Sequence, residues 1–195
     1  MRNGGVALIA VGLSVGVPAL ILLHVIPTGL SPVRNPVSQY GITRFKIGYR
    51  IQTLAYGFAG IGAALGIASL PRPSALVVAL CGLFAVTRAA ISWFPMDIPG
   101  AARTDIGRRH GQLATSAFLS LGVAAAGLSR MLDHRHAGAF FAALSGGLAA
   151  VMSLALASMA VDRRAGGGYF GLAERAFYVG MTAWLVVVAV LVASK

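Results

Sequence analysis

Residues 88–110 read RAAISWFPMDIPGAARTDIGRRH, and this stretch decides how the chain is built. It leaves an apolar run through Arg88, crosses a loop marked Trp93-Phe94-Pro95-Met96-Asp97, and enters a second apolar run at His110. Two long apolar segments joined by a short decorated loop are the signature of consecutive membrane spans. Working outward, six such segments appear, at roughly 4–27, 47–70, 74–94, 110–131, 137–161 and 171–194. Each meets the ~20 residues needed to cross a hydrocarbon core. The expected fold is therefore all-α, a single bundle of six transmembrane helices with short loops. The first segment is too long for a signal-peptide core and lacks a small-x-small cleavage site, so it reads as a span.

Composition agrees. Of 195 residues, 57% are hydrophobic and only 11% charged, too little charge to cover a water-soluble surface. Sixteen basic against five acidic residues leave a net charge of +11. On a soluble domain that excess points to nucleic acid, but here it lies in short loops between apolar runs, facing lipid headgroups. No basic-aromatic surface or recognition helix supports nucleic-acid binding. Cys81 stands alone, so no intramolecular disulfide forms.

Charge counting gives an expected orientation. Side A, with both termini and the second and fourth loops, carries Arg2, Arg72, Arg130, Arg135 and Lys195. Side B carries Arg34, Arg44, Lys46 and Arg50, then Arg88, Arg103, Arg108 and Arg109, then Arg163, Arg164 and Arg175. Eleven against five places side B in the cytoplasm of an inner (plasma) membrane and both termini outside. Arginines retained for a site would bias this count.

Polar residues inside the spans also favour side B. His24, Gln52, Tyr56, Arg88, Ser92, His110, Gln112, Glu174, Tyr178 and Thr182 all fall in the side B halves of their helices. Ionisable groups at membrane depth are costly and face a partner or a wet cavity, so a pocket open to side B is expected. The catalytic candidates are Asp97, His110 and Glu174. The ligand-binding candidates are Arg34, Ser38, Tyr40, Gln52, Tyr56, Arg88, Trp93, Arg109 and Tyr178. Plainer roles compete: Arg88 snorkelling to headgroups, Glu174 in a first helical turn, His110 bonded to a loop carbonyl, His24 as a packing residue, and Trp93 in an aromatic belt. Asp97, Asp105, His110 and Glu174 lack metal-ligand spacing. There is no nucleophile elbow, no phosphate loop and no lysine within a span, so no metal or other cofactor is expected.

Helix contacts are foreshadowed by Gly62 and Gly66, a GxxxG pair, and by Gly146-Gly147 in the charge-free fifth span. The connection from Pro27 to Lys46, broken by prolines and glycines, reads as a re-entrant or surface-lying segment. Residues 162–168 read as a basic, flexible link.

Three segments, NPVSQYG at 35–41, WFPMD at 93–97 followed by His110, and ERAFYVGMTAWL at 174–185, together resemble the bacterial six-span family called domain of unknown function 998. The resemblance spans essentially the whole chain. It implies six helices and a clustering of Ser38, Tyr40, Asp97, His110 and Glu174, and it implies no activity. A more distant likeness is to the eukaryotic Frag1/DRAM/Sfk1 six-span proteins, through the Phe-Pro loop and the histidine after it.

Three functions compete at this stage. The first is a binder or carrier of an anionic lipid or amphiphile. The second is a membrane-embedded enzyme in which Asp97 or Glu174 and His110 perform acid-base chemistry on a lipid or isoprenoid. The third is an accessory scaffold that docks a membrane protein or a second copy of itself. Basic and aromatic groups outnumber any catalytic set, which favours the binder.

Overall fold

The computed structural model describes residues 2–132 and 137–195. Among these, six helices are long and apolar enough to cross a membrane. They are α1 (Arg2–Val25), α2 (Lys46–Ala68), α3 (Ala75–Ala90), α4 (Asp105–Met131), α5 (Ala137–Ala165) and α6 (Phe170–Ala193). Arg135, one of the five side A charges, lies outside the described residues.

The helices pack in sequence around α2 and α6, whose inner faces bury Tyr56, Phe177, Tyr178 and Trp184. The closest contact joins α1 to α2. A Cβ on Gly5 would stand 2.7 Å from the Gly66 nitrogen, one on Gly62 2.6 Å from the Gly5 carbonyl oxygen, and one on Gly12 2.6 Å from that of Ala55. Backbone touches backbone there, which only glycine allows. The expected close approach at Gly62 and Gly66 is present. Gly147 differs, because a Cβ there would meet nothing within 4 Å. That face of α5 is open and is not a tight helix seam.

Two boundaries differ from the sequence reading. Helix α4 begins five residues before His110, because the Thr104 hydroxyl accepts from the Gly107 amide (3.0 Å) and caps a turn whose first residue is Asp105. Helix α5 continues through 162–165, residues assigned from sequence to a link. It stops where Gly166 and Gly168 take positive φ, 66° and 76°. Asp162 is buried, and its Oδ1 accepts from the Tyr169 amide (2.8 Å) at the entrance to α6. The low hydropathy of DRR and TDIGRR concealed both helical turns.

At the side A end α4, α5 and α6 are tied together. The Ser145 hydroxyl donates to the Ala125 carbonyl (2.7 Å), that of Ser129 to the Ala142 carbonyl (2.7 Å), and the Trp184 indole N–H to Ser145 (2.8 Å). Cys81 is fully buried there among apolar neighbours. The turn into α3 crosses Pro71-Arg72-Pro73 with Arg72 at φ 55°, a left-handed conformation held between two prolines. At side B the long connection folds into a short 3₁₀ helix, Val37–Ile42, with Val37 and Tyr40 buried. The Val33 carbonyl accepts from the Leu172 amide (2.9 Å), which pins this connection against the start of α6.

Candidate functional site

Two arginines organise the side B interior. Arg88, near the end of α3, is 1% exposed, so it does not snorkel to headgroups. Its Nη2 donates to the Tyr178 hydroxyl (2.8 Å), and its guanidinium carbon lies 5.4 Å from the centre of that ring. Its Nε has no hydrogen-bond partner among the described residues. Among the described residues the only ion pair within 4.0 Å is the exposed Arg108–Asp105 pair (2.8 Å). Neither Glu174 nor Asp97 therefore neutralises Arg88 directly.

Behind Arg88 runs the stripe foreseen on α2 and α6. Gln52, Thr53, Tyr56 and Tyr178 are all buried. Gln52 lies 3.2 Å from the Tyr178 oxygen, Tyr56 pairs with Thr182 (2.7 Å), and Thr53 pairs with Ser92 (2.6 Å). The phenol oxygen of Tyr178 accepts from both Arg88 Nη2 and Gln52 Nε2, while Gln52 Oε1 has no partner among the described residues. This relay of buried polar groups, Arg88 and Gln52 meeting at Tyr178, holds the guanidinium in one orientation.

The second arginine, Arg175 on α6, has no such vacancy. Its Nε donates to His24 Nε2 (2.6 Å), its Nη1 to the carbonyls of Asn35 (3.0 Å) and Gly171 (2.9 Å), and its Nη2 to the Tyr40 hydroxyl (3.4 Å). His24 Nδ1 lies 2.6 Å from the Leu20 carbonyl. A carbonyl only accepts, so the proton sits on Nδ1 and Nε2 receives Arg175. Tyr40 packs edge-on against His24, ring centres 5.6 Å apart. This cluster clamps the 27–45 connection to α1 and α6. The sequence reading had counted Arg175 only towards topology and had placed Tyr40 at the ligand.

Between α3, α4, α5 and α6 lies a cavity of about 1180 Å³. All three catalytic candidates reach its wall, with Arg88 and Ser38. They are not equivalent. The Asp97 carboxylate accepts from the Thr104 hydroxyl (2.6 Å) and amide (3.2 Å), so it braces the cap of α4. Glu174 is 5% exposed and lies a turn inside α6. Its Oε2 accepts from the Val37 amide (2.6 Å) at the start of the 3₁₀ helix, not from its own helix terminus. His110 is 6% exposed, and its Nδ1 lies 2.7 Å from the Phe94 carbonyl. The proton again sits on Nδ1, leaving the Nε2 lone pair without a hydrogen-bond partner among the described residues.

The remaining ligand candidates fall elsewhere. Tyr40, Gln52, Tyr56 and Tyr178 are behind the wall. Trp93 is exposed with Arg50 over its ring (5.9 Å). Arg34 and Arg109 are exposed and do not line the cavity. The arginines that do line its mouth are Arg103, Arg108, Arg163 and Arg164. Helical phase separates Arg108 from Arg109, since adjacent residues lie 100° apart on a helix. The turn of α5 unrecognised in the sequence is what carries Arg163 and Arg164 to the rim. No three His, Cys, Asp or Glu side chains among the described residues are grouped to hold a metal ion.

A family model described as "Protein of unknown function (DUF998)" matches residues 8–191. No curated protein and no solved structure matches the chain, and nothing in these comparisons supports the more distant Frag1/DRAM/Sfk1 likeness. Six apolar helices and a match over nearly their whole length lead to one conclusion: the chain belongs to the DUF998 family.

Proposed function

We propose that this protein binds an anionic amphiphile in the side B cavity, with its headgroup at Arg88 and with side B facing the cytoplasm. One observation carries the reading. Arg88 is a buried cation on a cavity wall with no carboxylate within 4.0 Å among the described residues, and Glu174 attracts it only from further away. Burying an ion without a direct ion pair costs several kcal/mol, and an anionic ligand would offset that cost. The rim arginines Arg103, Arg108, Arg163 and Arg164 would draw an anion inward at long range. The charge asymmetry that supports a cytoplasmic side B survives removal of the two interior arginines, which leaves nine positives against five.

The test is native mass spectrometry with lipid extraction on wild type beside Arg88→Gln. The expected outcome is a specific co-purifying anionic amphiphile on wild type that the variant loses. Identical bulk lipid on both proteins sinks the proposal.

A second reading, acid-base catalysis on the bound amphiphile, is favoured by one detail. The His110 tautomer keeps a lone pair on Nε2, the arrangement of a general base. In that reading His110 is the base and Glu174 the second group, since Asp97 is occupied by the α4 cap. His110→Gln should then retain the ligand and abolish turnover. Loss of both together, or of neither, argues for binding alone.

A further inference from the structure

The cavity is not confined to the bundle interior. Its α4 wall includes Leu119, which is 50% exposed, and its α5 wall includes Ala160, also exposed. An exposed residue in the middle of a membrane span faces lipid. Leu119 stands fourteen residues into α4, about 20 Å along the helix at 1.5 Å per residue. The cavity therefore continues as a fissure along the lipid-facing seam between α4 and α5. These helices are tied in their side A halves by the Ser145–Ala125 and Ser129–Ala142 bonds, and the cavity is lined by their side B halves.

The fissure walls are unlike each other. On α4, Gln112, Thr115 and Ser116 border it beside Phe118 and Leu119, whereas α5 presents only apolar Leu156, Met159 and Ala160 until the rim arginines Arg163 and Arg164. At Gly111 an added Cβ would meet nothing within 4 Å, so there is room beside His110. A soluble anion entering from water has no use for a slot of this kind. An amphiphile does: its polar head passes along the hydroxyl and amide edge of α4 while its chain stays against the apolar edge of α5.

We infer that the Arg88 site is loaded sideways from the side B leaflet, and that its ligand is a bilayer lipid with an anionic headgroup whose chain remains in the α4–α5 fissure. This rests on the anion-binding reading above and adds the ligand's source and route.

The experiment blocks the fissure without touching Arg88. Purified Ala160→Cys protein is modified with a bulky maleimide after folding, the only other cysteine, Cys81, being buried. Ala160→Trp serves as a second variant. Each is exposed to phosphatidylcholine vesicles containing phosphatidate, and separately to glycerol phosphate in detergent, with bound ligand read by native mass spectrometry.

The expected result is phosphatidate on unmodified protein, reduced about tenfold by the block, a change of about 1.4 kcal/mol in binding, with no Arg88-dependent binding of glycerol phosphate. Equal phosphatidate loading of blocked and unblocked protein overturns the inference. So does Arg88-dependent binding of glycerol phosphate that matches the lipid. In both cases the anion-binding reading survives. If neither probe binds in a manner that Arg88→Gln abolishes, the anion-binding reading itself falls.

Discussion

Arg88 and Arg175 lie at the same end of one bundle and have opposite circumstances. Arg175 donates to four acceptors drawn from α1, the 27–45 connection and α6. Arg88 is more deeply buried, yet among the described residues it has a single hydrogen-bond partner and an unpaired Nε, and a cavity lies in front of it. A satisfied arginine holds a fold together. One that is buried and under-satisfied weakens the empty protein, and this is why the proposed ligand is placed at Arg88. The contrast separates a structural cluster from a site within a region the sequence shows only as uniformly polar.

The largest effect should come from Arg175→Met. It leaves His24 Nε2, the Tyr40 hydroxyl and the carbonyls of Asn35 and Gly171 without this donor, at a cost of about 3–5 kcal/mol if two or more of these bonds to a charged donor count at about 1.5–3 kcal/mol each. Thermal unfolding in detergent should show it as a large drop in Tm. A variant as stable as wild type would remove the distinction between the two arginines.

Tyr178→Phe should cost about 1–2 kcal/mol, since it takes away the only hydrogen-bond partner of a buried charge. It should also weaken the anionic ligand by letting Arg88 turn. Comparing stability with ligand retention checks both halves, and loss of stability with unchanged retention would make the relay purely structural.

Arg88→Met, by contrast, should change the stability of the lipid-free protein by less than about 1 kcal/mol, because the desolvation cost of a buried charge is removed together with its one hydrogen bond and its longer-range attraction to Glu174. The same variant should lose the ligand. A fall in Tm comparable to that of Arg175→Met would mean that Arg88 is structural after all.

The smallest effect belongs to the double variant Arg34→Gln, Arg109→Gln. Both residues are exposed and outside the cavity lining, so stability and ligand retention should move within about 0.5 kcal/mol. A marked loss of ligand would redraw the boundary of the site.

Residue type and spacing made much of the site legible. Tyr49, Gln52, Thr53 and Tyr56 recur at helical spacing on an otherwise apolar span, and burial of that stripe follows from the cost of exposing it to lipid. Glu174, Tyr178 and Thr182 repeat every fourth residue, so they share one face of α6. Neither pattern names a cross-helix partner. That Arg88 meets Tyr178 rather than Glu174, and that Arg175 meets His24, depends on how the helices rotate about their axes. The close Gly5, Gly12 and Gly62 contacts of α1 with α2 help to set that rotation.

The sequence alone determined the class of this protein, its six apolar helices and the end of the bundle where the polar residues of the spans gather. Hydrophobicity and charge are summed along the chain and need no neighbours to be read. The tertiary structure alone decided which arginine is satisfied, that Asp97 at the cavity wall braces a cap while His110 and Glu174 do not, and that the side B halves of α4 and α5 line one cavity. Those are relations between side chains far apart in sequence, set by helix packing over angles and distances that no local pattern records.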